Sequence, residues 1–141
     1  MKELPIGIQT FRKIIEGGYV YADKTRYIYN LLKGSYCYFL SRPRRFGKSL
    51  LLDTIAEAFS GDKELFRGLW IYGSDYTFKK HPVIRLDMTQ METVSADSLR
   101  ESLNEQLNEY IDAENLQIDT ELLARRFRAL ILGMQKNTGN Q

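Results

Sequence analysis

The sequence predicts an α/β layered domain, and three observations carry that expectation. Helix-period and strand-type segments alternate in the order helix, helix, strand, loop, helix, short helix, strand, helix, helix. The run "YCYFL" (36–40) is aromatic and apolar without alternation, as in a strand buried on both faces of a parallel sheet. An amphipathic helix follows it across a short, arginine-rich loop.

Each element has its own local reason. In "IQTFRKIIE" (8–16), Ile8, Phe11, Ile14 and Ile15 recur at helical spacing, and Gly17-Gly18 ends the helix. "YVY" (19–21) is a brief extended piece. Asp23 is a good N-cap for a second helix carrying Tyr27, Ile28, Leu31 and Leu32, which Gly34 closes. Residues 48–59 form the third helix, with Leu51, Leu52, Ile55, Ala56 and Phe59 on one face. "SGD" (60–62) breaks it, and Asp62 caps a short helix through Leu69. Residues 73–81 read as a loop. "PVIRLDM" (82–88) is a second strand, opened by Pro82, where a missing N–H costs least.

Another helix begins at Ser95 or Ser98, with Ser98 and Glu101 at capping-box spacing and Leu99, Leu103, Leu107 and Ile111 as its stripe. A last helix begins near Asp119 or Thr120 and buries Leu122, Leu123, Phe127, Leu130, Ile131 and Met134. Two strands are few for a sheet. The closing "NTGN" reads as a turn into a third strand, so the chain is expected to be part of a longer domain.

Composition narrows the function classes. At 141 residues and 43% hydrophobic content, the chain suits one soluble domain with a core. No apolar run approaches membrane-spanning length, and "MKELPIGIQTFRK" lacks an apolar signal core. A single cysteine, Cys37, and a single histidine, His81, argue against disulfides and a thiolate–imidazole metal site, and favour a reducing, cytoplasmic setting. Cys37 reads as a small core residue, His81 as a loop residue, and Trp70 and the nine tyrosines as core and sheet faces. Net charge is +2, and Arg42, Arg44, Arg45 and Lys48 put four positive charges within seven residues. Setting those four aside leaves −2, so the chain has one sharp positive spot rather than a generally polyanion-binding surface.

That spot lies in "SRPRRFGKSLL" (41–51). A phosphate-binding loop needs inward-curling N–H groups, a lysine for the outer phosphates and a hydroxyl for Mg²⁺. Gly47, Lys48 and Ser49 supply its final part between an expected strand and helix. The first glycine of G-x-x-x-x-G-K-S would fall on residue 42, which is Arg42. A residue bearing a Cβ takes positive φ reluctantly, so this loop's entrance must be built differently.

"SRPRRFGKSLLLDTI" resembles the loop of the predicted AAA-ATPase-like family of bacterial P-loop ATPases, in which R-P-R-R-F-G-K-S recurs. "YVYADKTRYIYNLL" (19–32), "ELFRGLWI" (64–71) and "HPVIRLDMT" (81–89) are similar to further family segments, with Ala22 where the family usually has valine. The resemblance implies a partial P-loop NTPase fold of the additional-strand class, with parallel strands flanked by helices. It divides the chain into a leading segment (1–34) and a partial nucleotide-binding core (35–141), truncated before the Walker B strand. Full-length relatives look like an ATPase domain followed by a PD-(D/E)XK nuclease-like domain.

The implied cofactors are ATP and Mg²⁺. The expected contacts are Arg44, Arg45, Phe46, Gly47, Lys48, Ser49 and Leu50, with Ser49 on the metal and residues 23–25 on the adenine side. Asp23 also has the plainer reading of a helix cap. "VIRLD" (83–87) ends in Asp87, a legitimate metal position, but Met88 follows where a Walker B strand would carry its second carboxylate. No catalytic residue is therefore assigned. The isolated chain is expected to hold nucleotide weakly or not at all, without turning it over. The alternative is a non-catalytic nucleic-acid-binding or scaffolding module using the Arg42–Lys48 cluster. Nucleic acid could also be met through domains outside this chain, and no membrane partner is expected.

Overall fold

The computed structural model describes residues 2–34, 37–43 and 45–139. It divides into two compact units, one up to Lys80 and one from His81 onward. The described residues form five α-helices: α1 (Phe11–Glu16), α2 (Thr25–Lys33), α3 (Lys48–Phe59), α4 (Ala96–Ala113) and α5 (Leu123–Thr138). Single 3-10 turns lie at Lys63–Phe66, Trp70–Gly73 and Met88–Gln90.

The first unit is built on an aromatic core of Phe11, Phe66 and Phe78 with Ala58, Leu65 and Ile71. The Phe11 ring stands 4.9 Å from Phe66 and 5.1 Å, edge-on, from Tyr21. Phe66 in turn lies 5.2 Å from Phe78. α1 is too short to be stable alone, and α3 holds its first turn. Asp53 accepts the Phe11 N–H at 2.6 Å, satisfying a first-turn donor that has no intrahelical partner. The Arg12 guanidinium reaches Glu57 at 2.8 Å, Asp62 at 3.1 Å and Glu16 at 3.3 Å. Asp62 also accepts from Leu65 N, so the expected cap forms, although the short helix resolves into two 3-10 turns.

The second unit has its core at Leu107, Ile111, Leu130 and Met134, with Ile84, Leu116 and Leu123 packed against it. Arg126, near the start of α5, reaches Asn108, and Asn137, near its end, reaches Glu114 at 2.9 Å. The two helices therefore advance in the same sense, and residues 115–122 return between them. Gly133 permits that return, since a Cβ there would lie 2.5 Å from Leu116 Cδ1. The α4 capping box forms between Ser95 and Ser98, one turn earlier than the expected pair Ser98 and Glu101. On α5, Leu130 and Met134 are buried as expected, whereas Leu122, Phe127 and Ile131 are exposed.

The expected α/β P-loop architecture is not what the chain adopts. Among the described residues there is no β-strand and no parallel sheet. Tyr36 lies outside the described residues; the rest of the first expected strand, 37–40, is exposed, with Phe39 94% accessible. The second expected strand has its main chain satisfied by side chains instead. Tyr110 Oη donates to Arg85 O and accepts from Arg85 N, at 3.1 and 2.9 Å. Two residues on, Gln106 Nε2 donates to Asp87 O and its Oε1 accepts from Asp87 N, both at 2.9 Å. Residues i and i+2 of an extended chain present their polar groups to the same side, and α4 meets them there in place of a neighbouring strand. The apolar pattern of 83–87 thus reported an extended conformation and a half-buried Ile84, not a sheet.

Two substitutions test this packing. Phe66→Ala should cost the first unit about 3–5 kcal/mol, as for other fully buried phenylalanines, read by denaturant unfolding. Tyr110→Phe should cost the second unit about 0.5–1.5 kcal/mol and speed amide exchange at Arg85. Unchanged exchange there would show that the tyrosine hydroxyl does not hold residues 83–87.

Candidate functional site

The Gly-Lys-Ser loop folds locally as its sequence requires, but by an unexpected route. Arg42 does not adopt positive φ; the left-handed residues are Arg45, at φ 67°, and Gly47, at φ 73°. The chain thus turns at positions 45 and 47 rather than where a first glycine would stand. Gly47 is the N-cap of α3 and has no side chain with which to cap it. The first turn of α3 carries no acidic residue. Its leading N–H groups belong to the set that an α-helix leaves without internal acceptors, and the helix dipole makes that end attractive to anions.

Lys48 turns back over the loop. Its ammonium donates to Arg42 O in a short hydrogen bond and to Pro43 O at 3.3 Å. A single pocket of about 540 Å³ lies beside it, within the size range of small-ligand sites. The loop contributes Arg42, Phe46, Gly47 and Lys48 to this pocket, and α3 contributes Leu50 and Leu51. The leading segment adds Val20, Tyr21, Ala22, Lys24 and Tyr27 to the same lining. The expected contacts Phe46, Gly47, Lys48 and Leu50 are therefore brought together. Arg45 and Ser49 are exposed and do not line the pocket. Arg44 lies outside the described residues. Leu40, read from sequence as part of a buried strand, lines the pocket instead.

The leading segment is fixed by Asp23 and Thr25. Asp23 Oδ1 accepts from Thr25 N at 2.8 Å and from Thr25 Oγ1 at 2.7 Å, and its Oδ2 accepts from Trp70 N at 2.7 Å. Thr25 is fully buried, and its hydroxyl oxygen accepts from Ile71 N at 3.1 Å. Asp23 is therefore not the N-cap, which is Lys24; it sits one residue earlier, accepts the N–H of the first helical residue, and adds a tie to the turn at 70–73. Burial pushes the Asp23 carboxyl up, but hydrogen bonds from Thr25 and Trp70 more than reverse this and leave it below its ordinary value. Tyr21 is half-buried, and burial pushes its phenol up. Its hydroxyl lies 3.4 Å from Thr54 Oγ1, which ties this wall to α3.

Asp87 does not have a free carboxylate. It accepts from Thr89 N at 2.9 Å, Thr89 Oγ1 at 2.7 Å and Gln90 Nε2 at 3.2 Å, and the Thr89 bonds hold it below its ordinary value. Among the described residues no group of three His, Cys, Asp or Glu side chains could hold a metal ion. No helix among the described residues is long and apolar enough to cross a membrane.

Residues 5–141 match a family model described as "Predicted AAA-ATPase". Among curated proteins, the chain is 56% identical over 86 residues to an "Uncharacterized protein in vnfD 5'region" of Azotobacter chroococcum mcd 1. That match covers 60% of this chain and 17% of the relative, so the chain spans about a sixth of the relative's length. No solved structure matches the chain.

The depressed Asp23 carboxyl makes stability pH-dependent in a fixed direction. Its stabilisation is complete above the ordinary value of 3.8 and is lost as pH falls through the lower value it has in the fold. Asp23→Asn should lower the melting temperature at pH 7 and flatten the decline as pH falls below the ordinary carboxylate value. Fluorescence of Trp70, the single tryptophan, reads the change directly. An unaltered pH profile would exclude Asp23 from this role.

Proposed function

The chain belongs to the AAA-ATPase-like family, and on that premise we propose that its first unit binds ATP, with the outer phosphates on the turn Gly47–Leu50. The observation that carries this reading is the shared pocket. One wall is the N-terminus of α3, with its left-handed Gly47 and the ammonium of Lys48; the other is the apolar leading segment around Val20 and Ala22. Anion-accepting and base-accepting surfaces thus face one space of nucleotide size.

In this reading, Lys48 exchanges the carbonyls of Arg42 and Pro43 for phosphate oxygens when the nucleotide enters. The α3 amides supply neutral donors beside it, and Arg42 adds charge at the pocket edge. Mg²⁺ comes with the nucleotide and takes the Ser49 hydroxyl as its protein ligand. No described side chain is assigned to activating water, so binding without turnover is the expected behaviour.

Titration of the ¹⁵N-labelled chain with MgATP should shift the amides of residues 47–50 and 20–24. Lys48→Ala should weaken binding by about 10- to 100-fold, the loss typical of a charged hydrogen-bonding partner. Arg42→Ala should have a smaller effect. If ATP shifts nothing, while an oligonucleotide binds and is lost with each arginine removed and with added salt, the nucleic-acid reading replaces this one.

A further inference from the structure

Of the three residues Asp23, Lys24 and Thr25, two have their polar side chains committed. Asp23 is held by Thr25 and Trp70, and Thr25 is buried against Ile71. Their combined effect is to fix the backbone at residue 24, at φ −113° and ψ 8°, just before α2 begins. Lys24, between them, lines the pocket together with Arg42 and Lys48. Among the described residues its ammonium has no hydrogen bond or ion pair. It is therefore a cation on a pinned backbone that lines the same pocket as the loop, with no partner of its own among the described residues.

We infer that Lys24 is a second phosphate-binding cation of the site, reaching the ligand's phosphates from the leading segment that shares the pocket with Lys48. This rests on the nucleotide reading given above and adds to it a residue outside the Gly-Lys-Ser loop. An ammonium on a four-carbon stem suits the task, since it can swing onto an oxyanion while its backbone stays fixed. The clasp of Asp23 and Thr25 is then the device that holds the second cation in place, so that only the side chain must be ordered on binding.

The test compares ligands with and without phosphate on the intact chain, by amide chemical-shift titration. Lys24→Met should weaken ATP binding by about 10-fold. It should leave the weaker contact with adenosine unchanged and reduce the loss of ATP affinity between 50 and 300 mM salt. Lys24→Arg should restore most of the ATP affinity. An unchanged fold is checked by the amides of Thr25 and Ile71, whose positions report the clasp. If Lys24→Met weakens ATP and adenosine equally, the residue shapes the wall and the inference is wrong. If Lys24→Met changes nothing while Lys48→Ala abolishes binding, the inference fails and the nucleotide reading stands. If the parent chain does not respond to ATP or to inorganic tripolyphosphate, both fall together.

Discussion

The first unit depends on one carboxylate. Asp23 receives two donors from Thr25 and a third from Trp70, 47 residues away in sequence. Without it the start of α2 has no acceptor for its first N–H, and the turn at 70–73 loses the hydrogen bond of Trp70, keeping that of Ile71 to Thr25 and the packing of Trp70 against Tyr29 and Arg26. The arrangement is economical because the same three residues fix a helix start, join two distant segments and set the direction of the wall between them. Charge-assisted hydrogen bonds to backbone N–H groups are among the stronger ones in water, which is why a half-exposed group can carry this much.

The loop is the second constraint, and it works in the opposite sense. Its ammonium has found acceptors, but they are carbonyls of its own loop. The contact keeps Lys48 folded toward the pocket instead of extended into solvent. Phe46, 63% exposed, stands at the mouth of the same pocket, where a bound group would cover it.

Much of this was legible in sequence. α3 begins at Lys48 and ends at Phe59, as its period and breakers require. Gly47 is left-handed, and Asp62 and Ser95 cap where short polar side chains are expected to. What was not legible depended on partners. "YCYFL" and "PVIRLDM" have strand composition, yet composition gives only conformation and burial, and neither segment meets another strand among the described residues. The face of α3 was misjudged for the same reason. Leu52 is 60% exposed while Thr54 is buried, because Thr54 satisfies its hydroxyl on Leu50 O and faces Tyr21. Of the pocket, Gly47 and Lys48 were legible as a loop that opens a helix, but nothing local says that Lys24 or Leu40 shares that space.

Arg45 shows what such a loop gives up and what it keeps. A residue with a Cβ in the left-handed region costs about 1–2 kcal/mol relative to glycine, and the chain tolerates that cost at φ 67°. A glycine there would relax the backbone and forfeit an exposed guanidinium on the loop. The loop is therefore a bent spring with a charge at its bend, and the same peptide unit that stores the tension also determines where that charge stands.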